Sequence, residues 1–164
     1  MAISVAVDNS VLDLVDARLP ENKKEDYLAF RDIIELAHQG KIEILIPVPT
    51  TLIEHGYASG EKKQRLREIM GDAFRLCPGV VPEKMQSDIK QKKKCLREIM
   101  QDKGGIDSEN LVVSTIYTPY YLTTNYRYWR QFKARSRKIQ EKCRINVFVL
   151  RPSEFLEQYR KGEL

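Results

Sequence analysis

The stretch Ala2–Asp16, AISVAVDNSVLDLVD, decides the fold. Its apolar run Ile3–Val7 is interrupted only by Ser4, the pattern of a strand buried on both faces of a parallel sheet covered by helices. The run stops at Asp8. A carboxylate directly after such a strand lies at its carboxyl end, the edge at which open α/β sheets bind ligands. Asn9 and Ser10 start a helix whose apolar side is Val11, Leu12, Leu14 and Val15. Asp8, Asn9 and Ser10 are also ordinary capping and turn residues, so a helix cap alone explains Asp8 equally well. A functional reading therefore needs other carboxylates at the same edge.

Working outward, Pro20 to Lys24 makes a polar break, and Glu25 to Gln39 reads as an amphipathic helix stopped by Gly40. KIEILIP gives a second strand, Ile42–Ile46, closed by Pro47, which completes a βαβ unit with a right-handed crossover. Pro49 and Thr50 mark the next helix start. Glu54 falls in its first turn, just beyond a strand's carboxyl end. Thr51-Leu52-Ile53-Glu54 is equally a capping box, with Thr51 as the cap. His55 points about 100° away from Glu54 on a helix.

Glu61–Leu76 and Glu83–Asp102 read as two further amphipathic helices separated by Cys77-Pro78-Gly79. Without a strand between them they predict a helical hairpin around residues 61–103. The run Lys90–Lys94 (KQKKK) is taken as a solvated face. Gly104-Gly105 marks a turn, and Asp107 or Ser108 caps the helix that follows, with Asn110 on the same face as Asp107. Pro119–Asn125 is a strand ending in polar groups. A helix over 127–143, a strand Asn146–Leu150 and a terminal helix from Pro152 close the chain.

At 164 residues and 42% hydrophobic, the chain 1–164 is a single domain with a core of its own. No run of about 18 apolar residues spans a membrane, and the N-terminus lacks a signal-peptide pattern. The three cysteines form no CxxC pair, so reduced thiols in the cytoplasm are the expectation. Two histidines exclude a His-rich metal site, and no GxGxxG or P-loop offers a phosphate cradle. Charge is divided unevenly. Residues 126–144 hold eight Lys/Arg against one acid, and residues 61–103 hold twelve against seven, within a net charge of +5. The remainder is acidic, which suits an acidic metal site beside a basic surface for a polyanion. On the helix 127–143 the basic residues are Arg127, Arg130, Lys133, Arg135, Arg137, Lys138 and Lys142. Tyr126, Tyr128 and Trp129 beside them are placed to stack on bases, although Trp129 falls on the apolar face and reads as core.

Asp8, Glu54 and Asp107 share one context, a helix N-terminus, and Asp8 and Glu54 also follow strands. Carboxylates converging there repel one another unless a cation neutralises them, and hard oxygen donors suit Mg²⁺ or Mn²⁺. With a basic surface nearby, a phosphodiester is the natural substrate, hydrolysed by a metal-activated water.

In VAVDNSVL, TTLIE, GGIDSENLVVSTIY, YLTTN and the closing NVFVLRPSEFLEQY, taken in order, the chain resembles the PIN-domain family of metal-dependent nucleases over nearly its whole length. The resemblance implies a three-layer α/β/α fold with a mainly parallel sheet and cleavage of single-stranded RNA with Mg²⁺ or Mn²⁺. It assigns Asp8, Glu54 and Asp107 as metal-holding acids. A fourth acid is common in the family at the end of a TxD motif. Here the motif is Thr123-Thr124-Asn125, and an amide there brings no negative charge. Many bacterial and archaeal members are VapC-type toxins, which dimerise and are held by an antitoxin, so those partners are implied as well. The alternative of a different class is a non-catalytic PIN-like RNA-binding or scaffold module with a lapsed acidic site. A third keeps the fold but reads the acids as caps and the basic runs as solvated faces of a protein acting through a partner.

Overall fold

The computed structural model describes residues 2–15, 21–48, 74–78, 81–102 and 105–164, with Gln64, Glu68 and Gly71. Its strands are β1 (Ile3–Val7), β2 (Ile42–Val48), β3 (Phe74–Pro78), β4 (Tyr120–Leu122) and β5 (Phe148–Leu150). They form one sheet in the order β3-β2-β1-β4-β5 with every pairing parallel. The helices among the described residues are α1 (Asn9–Leu12), α2 (Lys24–His38), α3 (Glu83–Met100), α4 (Ile106–Ser114), α5 (Tyr126–Cys143) and α6 (Pro152–Arg160).

Alternation along the strands builds two cores. Val5 and Val7 of β1, Leu122 of β4 and Leu150 of β5 pack with Leu12 of α1, Phe30 and Ile33 of α2 and Phe155 of α6. Their neighbours Ala6, Tyr121 and Val149 pack on the opposite face with Leu96 of α3, Leu111 of α4 and Phe132 and Ile139 of α5. The sheet therefore carries helices on both faces, a three-layer α/β/α fold. Chain order puts β2 on one side of β1 and β4 on the other, so the topological switch lies between β1 and β4. Crevices at that point are where such folds bind ligands.

Two expectations are corrected. The helical hairpin does not form, because Phe74–Pro78 is the edge strand β3, paired from Ile44↔Phe74 to Val48↔Pro78. Gln64 and Glu68 are helical, but Gly71 takes φ +57°, a left-handed conformation that only glycine adopts freely and that stops a helix. The helical spacing over Glu61–Leu76 hides a five-residue strand at its end.

The second correction concerns the thiols. Cys95 of α3 and Cys143 of α5 form a disulfide with Cα atoms 5.6 Å apart. A separation of 48 residues gives no local spacing signal; helix packing alone brings the two together. Closing a loop of that length constrains the unfolded chain by about 4 kcal/mol in the chain-entropy model. No helix among the described residues is long and apolar enough to cross a membrane.

Candidate functional site

The sheet's carboxyl edge carries a row of polar residues whose order follows from the register. Ala6 pairs with Tyr121 and Val7 with Leu122, so Asp8 comes level with Thr123. Leu122 pairs with Leu150, so Thr123 comes level with Arg151. The Asp8 N–H donates to the Leu122 carbonyl at 2.9 Å, and the Thr123 N–H to the Leu150 carbonyl at 3.0 Å. These backbone bonds extend the ladder one residue past the apolar strands and fix the row.

Asp8 is only 5% exposed. It occupies the cap position of α1, yet its side chain makes no cap hydrogen bond. Instead Oδ2 accepts from the Ser10 hydroxyl at 2.9 Å and from the Thr123 hydroxyl at 3.0 Å. Ser10 Oγ in turn accepts the Thr124 N–H at 3.0 Å, and Thr123 Oγ1 accepts the Asn125 N–H at 3.0 Å. Both hydroxyls are thus held in place by the backbone after β4. Burial pushes the Asp8 carboxyl above the usual carboxylate range, and the hydroxyl and backbone hydrogen bonds offset only part of that.

Asp107 arrives in the first turn of α4. Burial, then the charge of Asp8, then that of Asp102, raise its carboxyl to about 6. The two expected acids Asp8 and Asp107 are therefore within electrostatic reach of each other, and neither makes an ion pair among the described residues. Glu54 and His55 lie outside the described residues.

Asp107 opens onto a cavity of about 470 Å³ lined also by Gln101, Asp102, Asn125, Arg127 and Gln131. Asn125 caps α5 by accepting the Tyr128 N–H at 3.2 Å on its amide oxygen. Asp102 had no role in the sequence reading. Its two oxygens accept the Gly105 N–H at 3.0 Å and the Ser108 N–H at 3.1 Å, capping α4 from outside the helix. Its position three residues before a glycine was the available signal; Asp107 and Ser108, the expected caps, leave that role to it.

Asp8 and Asp107 suit a hard cation chemically. Mg²⁺ keeps several waters and commonly takes only one or two protein carboxylates. Among the described residues no three His, Cys, Asp or Glu converge as a fuller metal site.

Of the basic residues on α5, Arg127, Arg130, Lys133, Arg135, Arg137 and Lys138 are the ones expected to bind RNA, and they do not share one face. At about 100° per residue, Arg130 and Arg137 centre the solvent side of α5, Arg127 and Lys138 flank it, and Lys133 turns toward α6. Arg127 alone among them lines the acidic cavity. Lys133 pairs with Glu154 at 3.1 Å and lies 4.5 Å above the Trp129 ring. Arg137 pairs with Glu141. Arg135 is half-buried, and its Nη1 has no hydrogen-bond partner among the described residues. The aromatics are engaged too. Tyr128 is buried, Trp129 packs against the second core, and Arg151 lies 4.7 Å over Tyr126 and 5.6 Å over Trp129.

No protein-family model, curated protein or solved structure matches the chain. The site is therefore described by its own geometry.

At the far end of the row, Asp26 of α2 is fully buried and unanticipated from sequence. It accepts from Arg151 Nε at 3.0 Å, from the Ser153 N–H at 3.0 Å and from the Tyr126 hydroxyl. Burial opposes its charge, but these donors outweigh it and hold the carboxyl below the usual range. The same contact and burial push the Tyr126 phenol up to about 12. This cluster ties α2, α5 and α6 together beneath the edge.

Proposed function

We propose that the chain is a PIN-type metal-dependent endoribonuclease, hydrolysing phosphodiester bonds of RNA at the β1/β4 switch point. The observation that carries the reading is the electrostatic proximity of the buried Asp8 and the half-buried Asp107, neither with an ion-pair partner among the described residues, at the edge where this topology binds ligands. Asp8 and Asp107 would hold Mg²⁺ or Mn²⁺, with Glu54 assigned beside them on the family resemblance. When bound, such an ion supplies an activated water and neutralises charge on the phosphodiester oxygens. Ser10 and Thr123 fix the Asp8 carboxylate by occupying Oδ2. Arg127, at the cavity wall, is positioned to orient a phosphate.

Cleavage of mixed single-stranded RNAs by purified protein with Mn²⁺, with EDTA and with the Asp8→Asn variant tests this. Cleavage that needs Mn²⁺ and is lost in the variant is expected. Cleavage that persists in EDTA, or that Asp8→Asn leaves intact, would overturn it.

One observation favours a second reading, a non-catalytic RNA-binding module: Asn125, where the family commonly has an acid, already uses its amide oxygen to cap α5. That reading expects RNA binding indifferent to divalent metal and to Asp8. A toxin role with an antitoxin-like partner and a homodimer belongs to the proposal through the resemblance alone. A cytoplasmic setting is read from the cysteines as reduced thiols, and a Cys95–Cys143 disulfide is uncommon there outside hyperthermophiles and redox-responsive proteins.

A further inference from the structure

The run Lys90–Lys94, a solvated face by sequence, lines a cavity of about 780 Å³ together with the end of α3. Lys90, Lys93, Lys94, Arg97 and Gln101 recur at three- and four-residue intervals, so they form one stripe along the helix. Lys90 and Lys94 are exposed and make no ion pair among the described residues. Lys93 reaches Glu109 of α4 at 3.5 Å. Arg97 lies across Gly105, where a Cβ would come within 2.7 Å of its Nε. Gly105 takes φ +70° and has no side chain, and both features let the guanidinium rest at the start of α4.

The stripe is continuous with the carboxylate cavity. Gln101 and Asp102 line both, because α3 ends at Gln101 in a left-handed turn that swings Asp102 onto α4. Two acids, Glu98 and Asp102, lie at the inner end; the outer end is lysine only. Charge therefore changes from basic to acidic along one path of about 16 Å, at 1.5 Å per residue from Lys90 to Gln101.

We infer that the α3 stripe is the track for the phosphate backbone of a single-stranded RNA whose scissile bond lies in the cavity onto which Asp107 opens. The inference rests on the proposed nuclease reading for what happens at the inner end. A positive groove that follows one backbone is the general device for single strands. The inner cavity, about 470 Å³, has the volume of a small-molecule site, enough for roughly one or two nucleotides of a strand. The outer face of α5, with Arg130 and Arg137, does not line that cavity among the described residues.

The test is a salt titration of binding to a fluorescein-labelled oligouridylate in EDTA, where cleavage does not intervene. It compares wild type, Lys90→Gln/Lys94→Gln and Arg130→Gln/Arg137→Gln, two variants with equal loss of charge at exposed positions. The α3 variant is expected to bind more weakly, with the slope of log K against log salt reduced by about 1.4, or about 0.7 per phosphate contact. The α5 variant is expected to keep the wild-type slope. Equal losses in both variants would show a net-charge effect only and overturn the track. So would no loss in the α3 variant, no binding by wild type, or an equal α3-dependent affinity for the same sequence in duplex form. Metal-dependent cleavage separates the two claims. Cleavage by wild type without α3-dependent binding refutes the track and leaves the nuclease. α3-dependent binding without cleavage refutes the nuclease and leaves the track.

Discussion

Asp8 and Asp26 are both buried aspartates near one sheet edge, and they are treated oppositely. Asp26 receives a guanidinium, a phenol and a backbone N–H, and its carboxyl is held below the ordinary range. Asp8 receives two hydroxyls and no cation among the described residues, lies within electrostatic reach of Asp107, and is pushed above that range. Thr123 stands between them in the row, level with Asp8 on one side and with Arg151 on the other. The edge is thus closed and neutralised beside β5 and left acidic between β1 and β4. A fold gains nothing in stability from an uncompensated buried carboxylate. Asp8 is therefore the residue to question about function, and Asp26 the residue to question about folding.

The largest expected separation is in catalysis. Asp8→Asn or Asp107→Asn should each lower RNA cleavage at least about 100-fold, the scale of removing one electrostatic group from a site. Rates near wild type in both would erase the contrast. Next comes stability. Asp26→Ala should lose about 3–5 kcal/mol in urea unfolding, because it strands Arg151 beside Tyr126 without its carboxylate. A loss below about 1 kcal/mol would make the pair no better than a surface one.

A smaller effect of opposite sign should follow at the acidic end. The folded-state pKa of Asp107 lies above its unfolded value of 3.8, at about 6. The native state therefore binds more protons between those values, and stability falls as pH rises through that window. Asp107→Asn should then raise the melting temperature by a few degrees at pH 7 in EDTA and have little effect at pH 4. Asp26 has the reverse sign: its stabilisation is present at neutral pH and lost as pH falls through its depressed pKa. The smallest effect is expected from Asn125→Asp, which keeps a capping oxygen at α5 while adding charge at the cavity. Mn²⁺ affinity should rise a few-fold, and calorimetry reads it directly.

Much of this was legible in the sequence where periodicity was strong and local. Ile3–Val7, Ile42–Ile46 and the helices over Glu25–Gln39 and 127–143 announced themselves by spacing, and the three-layer parallel fold followed. Asp8 and Asp107 stand out as candidates because each sits at an element boundary. Phe74–Pro78 was lost because a short edge strand followed a stronger helical pattern. The Asp26–Arg151 contact spans 125 residues and the Asp8–Thr123 contact 115, so no local signal marks either. The Cys95–Cys143 disulfide was lost for the same reason. Asp102 and the α3 stripe were visible as residue types, but their importance depends on where α3 ends relative to α4.

The most direct measurement is a Mn²⁺ titration by calorimetry at pH 7 on wild type, Asp8→Asn and Asp26→Asn. Saturable binding by wild type, abolished in Asp8→Asn and kept in Asp26→Asn, is the result expected if the acidic end of the edge is a cation site. Undiminished binding in Asp8→Asn, or none in wild type, would contradict it.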